Sequence, residues 1–250
     1  MKILVPVKQV PDPNAIRFDA SGTFASSTPR VVNEYDQYAI EEAIRLKESG
    51  AATEVVVMTV GPASARDAVN RGLAMGADRG LLVVASDTDL EAADVASIIS
   101  AEARDGGYDL VLVGQETSDG GSGVVGPQVA AKLGVPIVSN VVSLEVGDGK
   151  LSLGREVEDG RVTVESPLPV VVCALTGLND PRSPSLKGIM AARKKPVQET
   201  PIASYETNGA DVSWGKLYAE ERVVEGTIIE TDAESAARQV VELLREKKLV

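Results

Sequence analysis

Between residues 110 and 134 the chain reads LVLVGQETSDGGSGVVGPQVAAKLG. The apolar run at its start, residues 110–113, has the length and the β-branched content of a buried strand. Apolar residues near its end recur with helical period, at Val129, Ala130 and Leu133. The stretch therefore predicts a glycine-rich loop that joins a strand to a helix.

Such a junction offers unpaired backbone N–H groups and the positive end of a helix dipole. Glycine lets the backbone approach a ligand closely, so a phosphate is the expected ligand. We expect Ser122 near the helix start, either as the N-cap or as a hydroxyl ligand to that phosphate. The alternative is a plain turn with a serine cap. Asp119 favours this alternative, because a carboxylate repels a phosphate unless it turns away.

The composition limits the class of protein. The chain has 250 residues, 44% of them hydrophobic, which predicts one large domain or one domain with appendages. Its net charge of −12 and its pI near 4.6 argue against binding to nucleic acids or anionic membranes, which need a basic surface. No apolar run approaches the roughly 18 residues of a membrane span, and the first residues read as a strand instead of a signal peptide. We therefore expect a cytoplasmic protein with no membrane span.

The chain contains no histidine and one cysteine, Cys173, which lies in an apolar run. These counts exclude disulfides within the chain, and they argue against the usual metal-ligand sets and against catalysis by imidazole. We therefore expect no catalytic residue and no metal site. An organic cofactor would have to carry any redox chemistry.

Strands alternate with helices over the first part of the chain. The strands are expected at residues 3–7, 55–60, 81–84, 110–113 and 136–138, and the helices at residues 35–49, 63–75, 90–104 and up to 134. The polar segment at residues 8–33 is expected to be a functional loop or a flap. This alternation predicts an α/β fold with a doubly wound, mostly parallel, Rossmann-like sheet. Ligands of such sheets bind at the carboxyl ends of the strands, where the glycine-rich loop lies.

The pattern changes after residue 140. Two segments, 151–157 and 161–165, alternate with period two around Asp159-Gly160, which predicts a β-hairpin added to the parallel sheet. Residues 169–175 then predict one more buried strand. Residues 196–230 have few core-forming runs and are expected to be an arm laid over another surface, such as a partner subunit, followed by an amphipathic helix at 234–249.

The segment at residues 178–195 is basic in an otherwise acidic chain. It contains five positive charges, and no acidic residue lies between Pro181 and Lys195. One interpretation is a solvated helix whose basic last turn suits the helix dipole. The other is a docking surface on which Leu186, Ile189 and Met190 supply apolar contact while basic residues such as Arg193 and Lys194 steer an acidic partner.

At this point the chain resembles the β subunit of electron transfer flavoproteins, over nearly its whole length. The resemblance rests on the start KILVPVKQVP at residues 2–11, on Asn33 ahead of AIEEA at 39–43, on GLAMGADRG at 72–80, on GRE at 154–156 and on the block from Asn179-Asp180-Pro181-Arg182 to Lys195. It implies an adenine nucleotide α-hydrolase-like fold. It also implies a heterodimer whose α subunit holds a flavin adenine dinucleotide (FAD).

The resemblance implies that this chain binds AMP in the site built by the glycine-rich loop, with the backbone of residues 122–125 on the phosphate and a flap closing on the adenosine. The cofactor-binding residues expected on this basis are Val7, Lys8, Gln9, Asn33, Gly61, Asp119, Ser122, Gly123, Val124 and Val125. Residues 1–195 would form the nucleotide-binding domain with its docking loop at 178–195. Residues 196–250 would form the arm and helix that pack on the partner subunit.

The same resemblance implies an electron carrier instead of an enzyme. It would accept electrons from acyl-CoA-type or other flavin dehydrogenases, as in fatty acid oxidation, and pass them to a quinone oxidoreductase or another acceptor. Glu156 matches a position near the flavin, where it can pair with an arginine of the partner. Leu186 matches an anchor residue that enters a hydrophobic groove on a dehydrogenase.

The glycine-rich loop departs from the family pattern at Val124, where many members have a polar side chain. This leaves open whether the chain binds AMP or a second FAD, which would mark an electron-bifurcating form. A stand-alone adenine-nucleotide-binding protein or sensor is a further alternative. An enzyme of this last kind is disfavoured because the chain lacks a Walker-type lysine and any histidine.

Overall fold

A computed structural model describes residues 1–86, 90–207, 218–219 and 226–250. Trp214 and the rest of residues 208–217 and 220–225, all within the predicted arm, lie outside these residues. The chain forms two compact units, residues 1–217 and residues 218–250. In the described part of the second unit, the secondary structure is one helix, Ala233–Glu246.

The first unit is built on a nine-stranded sheet. The strands of this unit, including two that form a separate small sheet, are β1 (Lys2–Pro6), β2 (Gln9–Pro11), β3 (Arg30–Val32), β4 (Glu54–Gly61), β5 (Arg79–Val84), β6 (Leu110–Gly114), β7 (Ile137–Val146), β8 (Lys150–Val157), β9 (Gly160–Pro167), β10 (Val170–Ala174) and β11 (Val197–Pro201). Its helices are α1 (Glu34–Glu48), α2 (Arg66–Met75), α3 (Ala92–Gly106), α4 (Val125–Leu133) and α5 (Leu186–Ala192), and α6 is the helix of the second unit.

The order across the large sheet is β11-β5-β4-β1-β6-β10-β7-β8-β9. From β11 to β7 all neighbours are parallel, whereas β7, β8 and β9 pair antiparallel. The predicted hairpin is present, with Val157 paired to Gly160 at its turn. The predicted α/β fold with a doubly wound, mostly parallel sheet and an added hairpin is confirmed.

Hydrophobic cores lie on both faces of this sheet. Ile3 and Val5 of β1 belong to the core that includes residues of α1 and α2, while Leu4 belongs to the core that includes residues of α3 and α4. This division follows from the strand geometry, because successive side chains of a strand point to opposite faces. A strand covered on both faces reads as a continuous apolar run, as β1 does from Ile3 to Pro6.

Three features of the strands differ from the sequence prediction. The segment predicted as a loop at residues 8–33 contains the antiparallel pair β2 and β3. Strand β7 runs on to Val146 because a register shift near Val141 lets it change from a parallel to an antiparallel neighbour. Strand β11 pairs with β5, so the sheet extends beyond the predicted domain boundary at residue 195.

Candidate functional site

The crevice of the parallel sheet lies between β1 and β6. On one side of β1 lie β4 and then β5, in chain order toward that edge of the sheet. The next strand of the large sheet, β6, lies on the opposite side of β1. Sheets of this kind bind ligands where the strand order reverses, outside the carboxyl ends of the strands. At this point Val7 and Lys8 follow β1, and the loop from Gln115 to Val124 follows β6.

The glycine-rich loop turns tightly before the helix. The N–H groups of Gly120 and Gly121 donate to the carbonyl of Thr117. Gly121 and Gly123 have φ angles of 59° and 61°, in the left-handed region that glycine adopts without steric cost. Helix α4 then begins at Val125 with Val124 as its N-cap.

This start of α4 has no side-chain cap. The expectation that Ser122 is the N-cap is therefore wrong, because Ser122 lies two residues before the cap and exposes its side chain to solvent. Its other predicted role, as a hydroxyl ligand, stays a prediction. An uncapped start leaves the first N–H groups of the helix without the partner that a serine or aspartate would supply.

The backbone N–H groups at this turn suit an anion. Among the described residues, none accepts a hydrogen bond from the N–H of Ser122, Gly123, Val124 or Val125. The dipole of α4 adds a partial positive charge at the same place. Consecutive free N–H groups at a helix start are the usual cradle of a phosphate, so this backbone fits the phosphate of a nucleotide.

Gly126, in the first turn of α4, lets the helix approach the sheet. A Cβ on Gly126 would lie 2.7 Å from Sγ of Cys173 in β10 and 3.1 Å from a methyl group of Val113 in β6. Both distances are shorter than ordinary van der Waals contact. The glycine therefore places the N-terminus of α4 directly over the ends of these two strands.

The segment after β1 closes over the loop through a charged pair. Lys8 Nζ lies 2.9 Å from the carboxylate of Asp119, which offsets the repulsion that Asp119 would exert on a phosphate. The amide of Gln9 donates to the carbonyl of Ser64, in the turn that follows Gly61 and β4. Oε1 of Gln9 is buried without a partner among the described residues, so it can accept a bond from a ligand.

Asn33, which precedes α1, forms hydrogen bonds with the start of the glycine-rich loop and with Asp36. It is fully buried, and its Nδ2 donates to the carbonyl of Glu116 at 2.8 Å and to Oδ1 of Asp36 at 3.0 Å. Its Oδ1 accepts a bond from the N–H of Ser118 at 3.1 Å. One asparagine side chain therefore fixes the first half of the glycine-rich loop.

Asp36 is a site residue that the sequence analysis missed. It is buried, and its Oδ2 accepts a bond from the N–H of Lys8 at 2.7 Å. Burial raises the pKa of Asp36 from 3.8 to about 7, against the opposing effect of bonds from Lys8, Asn33 and Gly114. The available signal was an acidic residue three positions after Asn33, in the first turn of α1.

The sequence-predicted nucleotide residues therefore converge. Val7, Lys8, Gln9, Asn33 and Gly61 surround the carboxyl ends of β1 and β4, and contacts from Lys8 and Asn33 join them to the loop that carries Asp119 and residues 122–125. The N–H groups of Val7 and Lys8 are already bonded, to the carbonyl of Met58 and to Asp36. Of these two residues, only the side chain of Lys8 still offers a donor.

Glu156 and the residues predicted to dock a partner lie on other elements. Glu156 is on β8, where its Oε1 accepts a bond at 3.1 Å from Arg161 on the neighbouring strand β9. Leu186, Ile189 and Met190 are on α5, and all three are exposed, Leu186 at 76%.

The chain matches the electron transfer flavoprotein domain over residues 21–204. It is 42% identical over 216 residues to the electron transfer flavoprotein subunit beta of Bradyrhizobium diazoefficiens, covering 85% of each chain. It belongs to the electron transfer flavoprotein β subunit family. The subunit beta of Megasphaera elsdenii is 31% identical over the full length of both chains. The chain is also similar to the caffeyl-CoA reductase-Etf complex subunit CarD of Acetobacterium woodii. The two are 37% identical over 79% of this chain and 77% of the CarD chain.

Family membership confirms the predicted resemblance. Members of this family are electron carriers that pair with an α subunit and associate with flavin. No helix within the described residues of this chain has the length and apolar character needed to cross a membrane. The same residues contain no group of three or more potential acidic or cysteine metal ligands.

Proposed function

We propose that this chain is the nucleotide-binding and dehydrogenase-docking subunit of a heterodimeric electron transfer flavoprotein. The dimer takes electrons from flavin dehydrogenases of the acyl-CoA type, as in fatty acid oxidation, and passes them to a quinone oxidoreductase or another acceptor. The redox-active FAD is held mainly by the α subunit. The chain works in the cytoplasm as a carrier subunit.

The observation that carries this proposal most strongly is the uncapped start of α4. Free N–H groups of residues 122–125 face the end of a parallel sheet at its switch point, where a nucleotide phosphate is bound in similar folds. The flap residues Lys8 and Gln9, with Asn33 and Gly61, close on the adenosine. The nucleotide in this site is AMP, and its role is structural.

The basic segment before β11 is the docking surface. Leu186 is the anchor that enters an apolar groove of the dehydrogenase, with Ile189 and Met190 beside it. Arg193 and Lys194 attract the acidic rim of that groove and so guide the approach of the dehydrogenase. Among the described residues, no carboxylate forms an ion pair with either of them. Interfaces commonly have an apolar centre and a polar rim, and charges on the rim mainly speed association.

Glu156 is the residue of this chain at the flavin edge. Its carboxylate is half-exposed, and its bond to Arg161 is a surface ion pair, which costs little to exchange. An arginine of the α subunit can therefore take the place of Arg161 when the dimer forms. The residues beyond β11, with α6 and its exposed Val240, Val241 and Leu243, pack on the α subunit, whereas β11 itself pairs with β5 of this chain.

A second candidate is a β subunit that binds FAD in place of AMP, within an electron-bifurcating complex. Two observations favour it: the similarity to CarD, a subunit of a caffeyl-CoA reductase-Etf complex, and Val124 at a position where many members are polar. A valine side chain has no hydrogen-bonding group, so at Val124 only the backbone can bind the phosphate.

Co-expression with the α subunit tests the proposed function. We expect a yellow heterodimer whose flavin is reduced when an acyl-CoA dehydrogenase and its acyl-CoA substrate are added. A control without the dehydrogenase should show no reduction. A chain that stays monomeric, binds nucleotide and never acquires flavin with its α subunit would contradict the proposal.

A further inference from the structure

Helix α5 is too short and too exposed to be stable without contacts to the rest of the chain. It has seven residues, and Ala192 is the only one of them that is buried. Ser185 caps it by accepting a bond from the N–H of Gly188 at 3.0 Å. Isolated helices shorter than about 12 residues are marginal in water, so tertiary contacts must fix the direction in which α5 presents Leu186 and Met190.

The strongest of these contacts is made by Arg182, four residues before the helix. Its guanidinium binds both oxygens of Glu41, at 2.8 and 2.9 Å, and both oxygens of Glu48, at 2.6 and 2.9 Å. Both acids belong to α1. A planar guanidinium that binds two carboxylates in forked geometry has one orientation, so the chain before α5 is fixed in direction as well as in place.

Glu41 makes this contact stronger than a surface ion pair. Its side chain is only 2% exposed, and Arg45 within α1 also donates to it at 2.9 Å. Burial alone would raise the pKa of Glu41, but the bonds from Arg182 and Arg45 outweigh burial and hold the pKa below its usual value. Glu41 is therefore a charged anchor point inside the molecule.

Further contacts hold the segment along its length. The amide of Asn179 donates to the carbonyl of Tyr38 and to Glu42, both at 3.0 Å. At the other end, Lys195 Nζ donates to the carbonyls of Leu73 and Ala77, at the end of α2. Two of the five basic residues of the segment, Arg182 and Lys195, are thus bound within the chain.

The middle of the segment touches α2 through Gly188. A Cβ on Gly188 would lie 2.3 Å from the carbonyl oxygen of Ala74, which is closer than two non-bonded atoms can approach. The backbone of α5 therefore lies against the backbone of α2. The apolar side chains of α5 are left on the side that faces away from this contact, as their exposure shows.

We propose that Arg182 is a positioning residue for docking, which holds α5 on α1 through Glu41 and Glu48 so that a dehydrogenase meets an anchor already in place. The proposal rests on the docking role of Leu186. In this proposal the ion pairs of Arg182 with Glu41 and Glu48 contribute to the affinity for the dehydrogenase as well as to the stability of the fold. A prearranged anchor binds more tightly because its ordering entropy is not lost on association.

The test uses the complete heterodimer, with an acyl-CoA dehydrogenase that reduces the unmodified protein as the probe. The variants are Arg182→Gln, Glu48→Gln and Gly188→Ala. The control is Lys150→Gln, which breaks an exposed ion pair with Glu165 between β8 and β9 and touches neither α1 nor residues 178–195. We expect Arg182→Gln to raise the KM for the flavoprotein by about three- to tenfold, with kcat, flavin content and nucleotide content unchanged. Glu48→Gln and Gly188→Ala should also raise KM severalfold, and Lys150→Gln should not.

Leu186→Ala separates this proposal from the docking assignment. If Arg182 acts through the anchor, Arg182→Gln should raise KM no further in the Leu186→Ala background. A KM that rises with Leu186→Ala but not with Arg182→Gln, Glu48→Gln or Gly188→Ala would overturn the positioning role alone. A KM unchanged by Leu186→Ala would overturn the docking role and this proposal with it. Should Arg182→Gln not fold, Glu48→Gln and Gly188→Ala carry the same test.

Discussion

Asp36 joins three segments that are far apart in the chain. It accepts a bond from the N–H of Lys8 after β1, it is bonded by Asn33 before α1, and a Cβ on Gly114 at the end of β6 would lie 2.3 Å from its Oδ1. A carboxylate at this junction satisfies backbone donors at the crevice of the sheet. The cost is the desolvation that raises its pKa to about 7.

This shift has a consequence for stability. Between pH 3.8, where the unfolded carboxyl titrates, and about pH 7, the folded protein keeps a proton on Asp36 that the unfolded chain has lost. The free energy of unfolding should therefore fall as pH rises through this window, by at most about 1.4 kcal/mol per pH unit from this one group. Lys8, the nearby cation, reduces the effect.

The variant Asp36→Asn removes the titration. We expect its free energy of unfolding, measured in urea at pH 5 and pH 7.5, to fall less between the two values than that of the unmodified protein. Asp19→Asn is a suitable control, since it is another aspartate but lies exposed in the segment between β2 and β3. Equal falls for Asp36→Asn and the unmodified protein would show that Asp36 does not titrate in this range.

Asn33 should control the grip on the nucleotide. Asn33→Ala leaves the carbonyl of Glu116 and the N–H of Ser118 without their partner, at a cost of about 1 to 3 kcal/mol. The glycine-rich loop should become less ordered, so the affinity for AMP should fall. This affinity is measured by titrating AMP into the nucleotide-free heterodimer in a calorimeter. Asn14→Ala, an exposed asparagine before β3, should bind as the unmodified protein does. Equal affinity for both variants would contradict the role of Asn33.

At the scale of elements, the position of α4 depends on Gly126. A Cβ there would overlap Cys173 and Val113, so Gly126→Ala should lower the free energy of unfolding by about 1 to 3 kcal/mol and weaken nucleotide binding. Gly147→Ala, in the open turn after β7, should change neither quantity. If Gly126→Ala leaves stability and binding unchanged, the close approach of helix and sheet is not needed for the site.

Elements with a strong periodic pattern were predictable from the sequence. Strands β1, β4, β5, β6 and β10 each contain a run of consecutive apolar residues, and α1 and α2 carry an apolar stripe. Strand β11, with the sequence VQETP, has no such run, because it is an edge strand with one neighbour. Strands β2 and β3 are three residues each, too short to show a period.

The site was predictable to the extent that it rests on local sequence. The glycine-rich loop and the following helix could be located because strand, turn and helix signals adjoin along the chain. The network of Asp36, Asn33 and Lys8 could not, because its contacts join residues from separate elements. The bonds of Arg182 to Glu41 and Glu48 were hidden for the same reason, since they span the chain from α1 to the segment before α5.

At the scale of the whole molecule, charge is unevenly distributed along the chain. The chain carries a net charge of −12, while the exposed basic residues of the docking segment lie beside an apolar anchor. If residues 178–195 dock an acidic partner, as proposed, the basic residues should attract that partner and the acidic remainder of the chain should repel it. In the proposed account the switch point of the sheet holds the nucleotide, and α1 serves both proposed sites: its start carries Asp36, and its later turns carry Glu41 and Glu48.

The nucleotide content of the purified heterodimer tests the central claim most directly. Acid extraction followed by chromatography, with the protein quantified by amino-acid analysis, measures each nucleotide per dimer. The account predicts one AMP and one FAD. Two FAD per dimer would establish the bifurcating alternative, and a dimer with FAD but no adenine nucleotide in this chain would contradict the assignment of the glycine-rich loop.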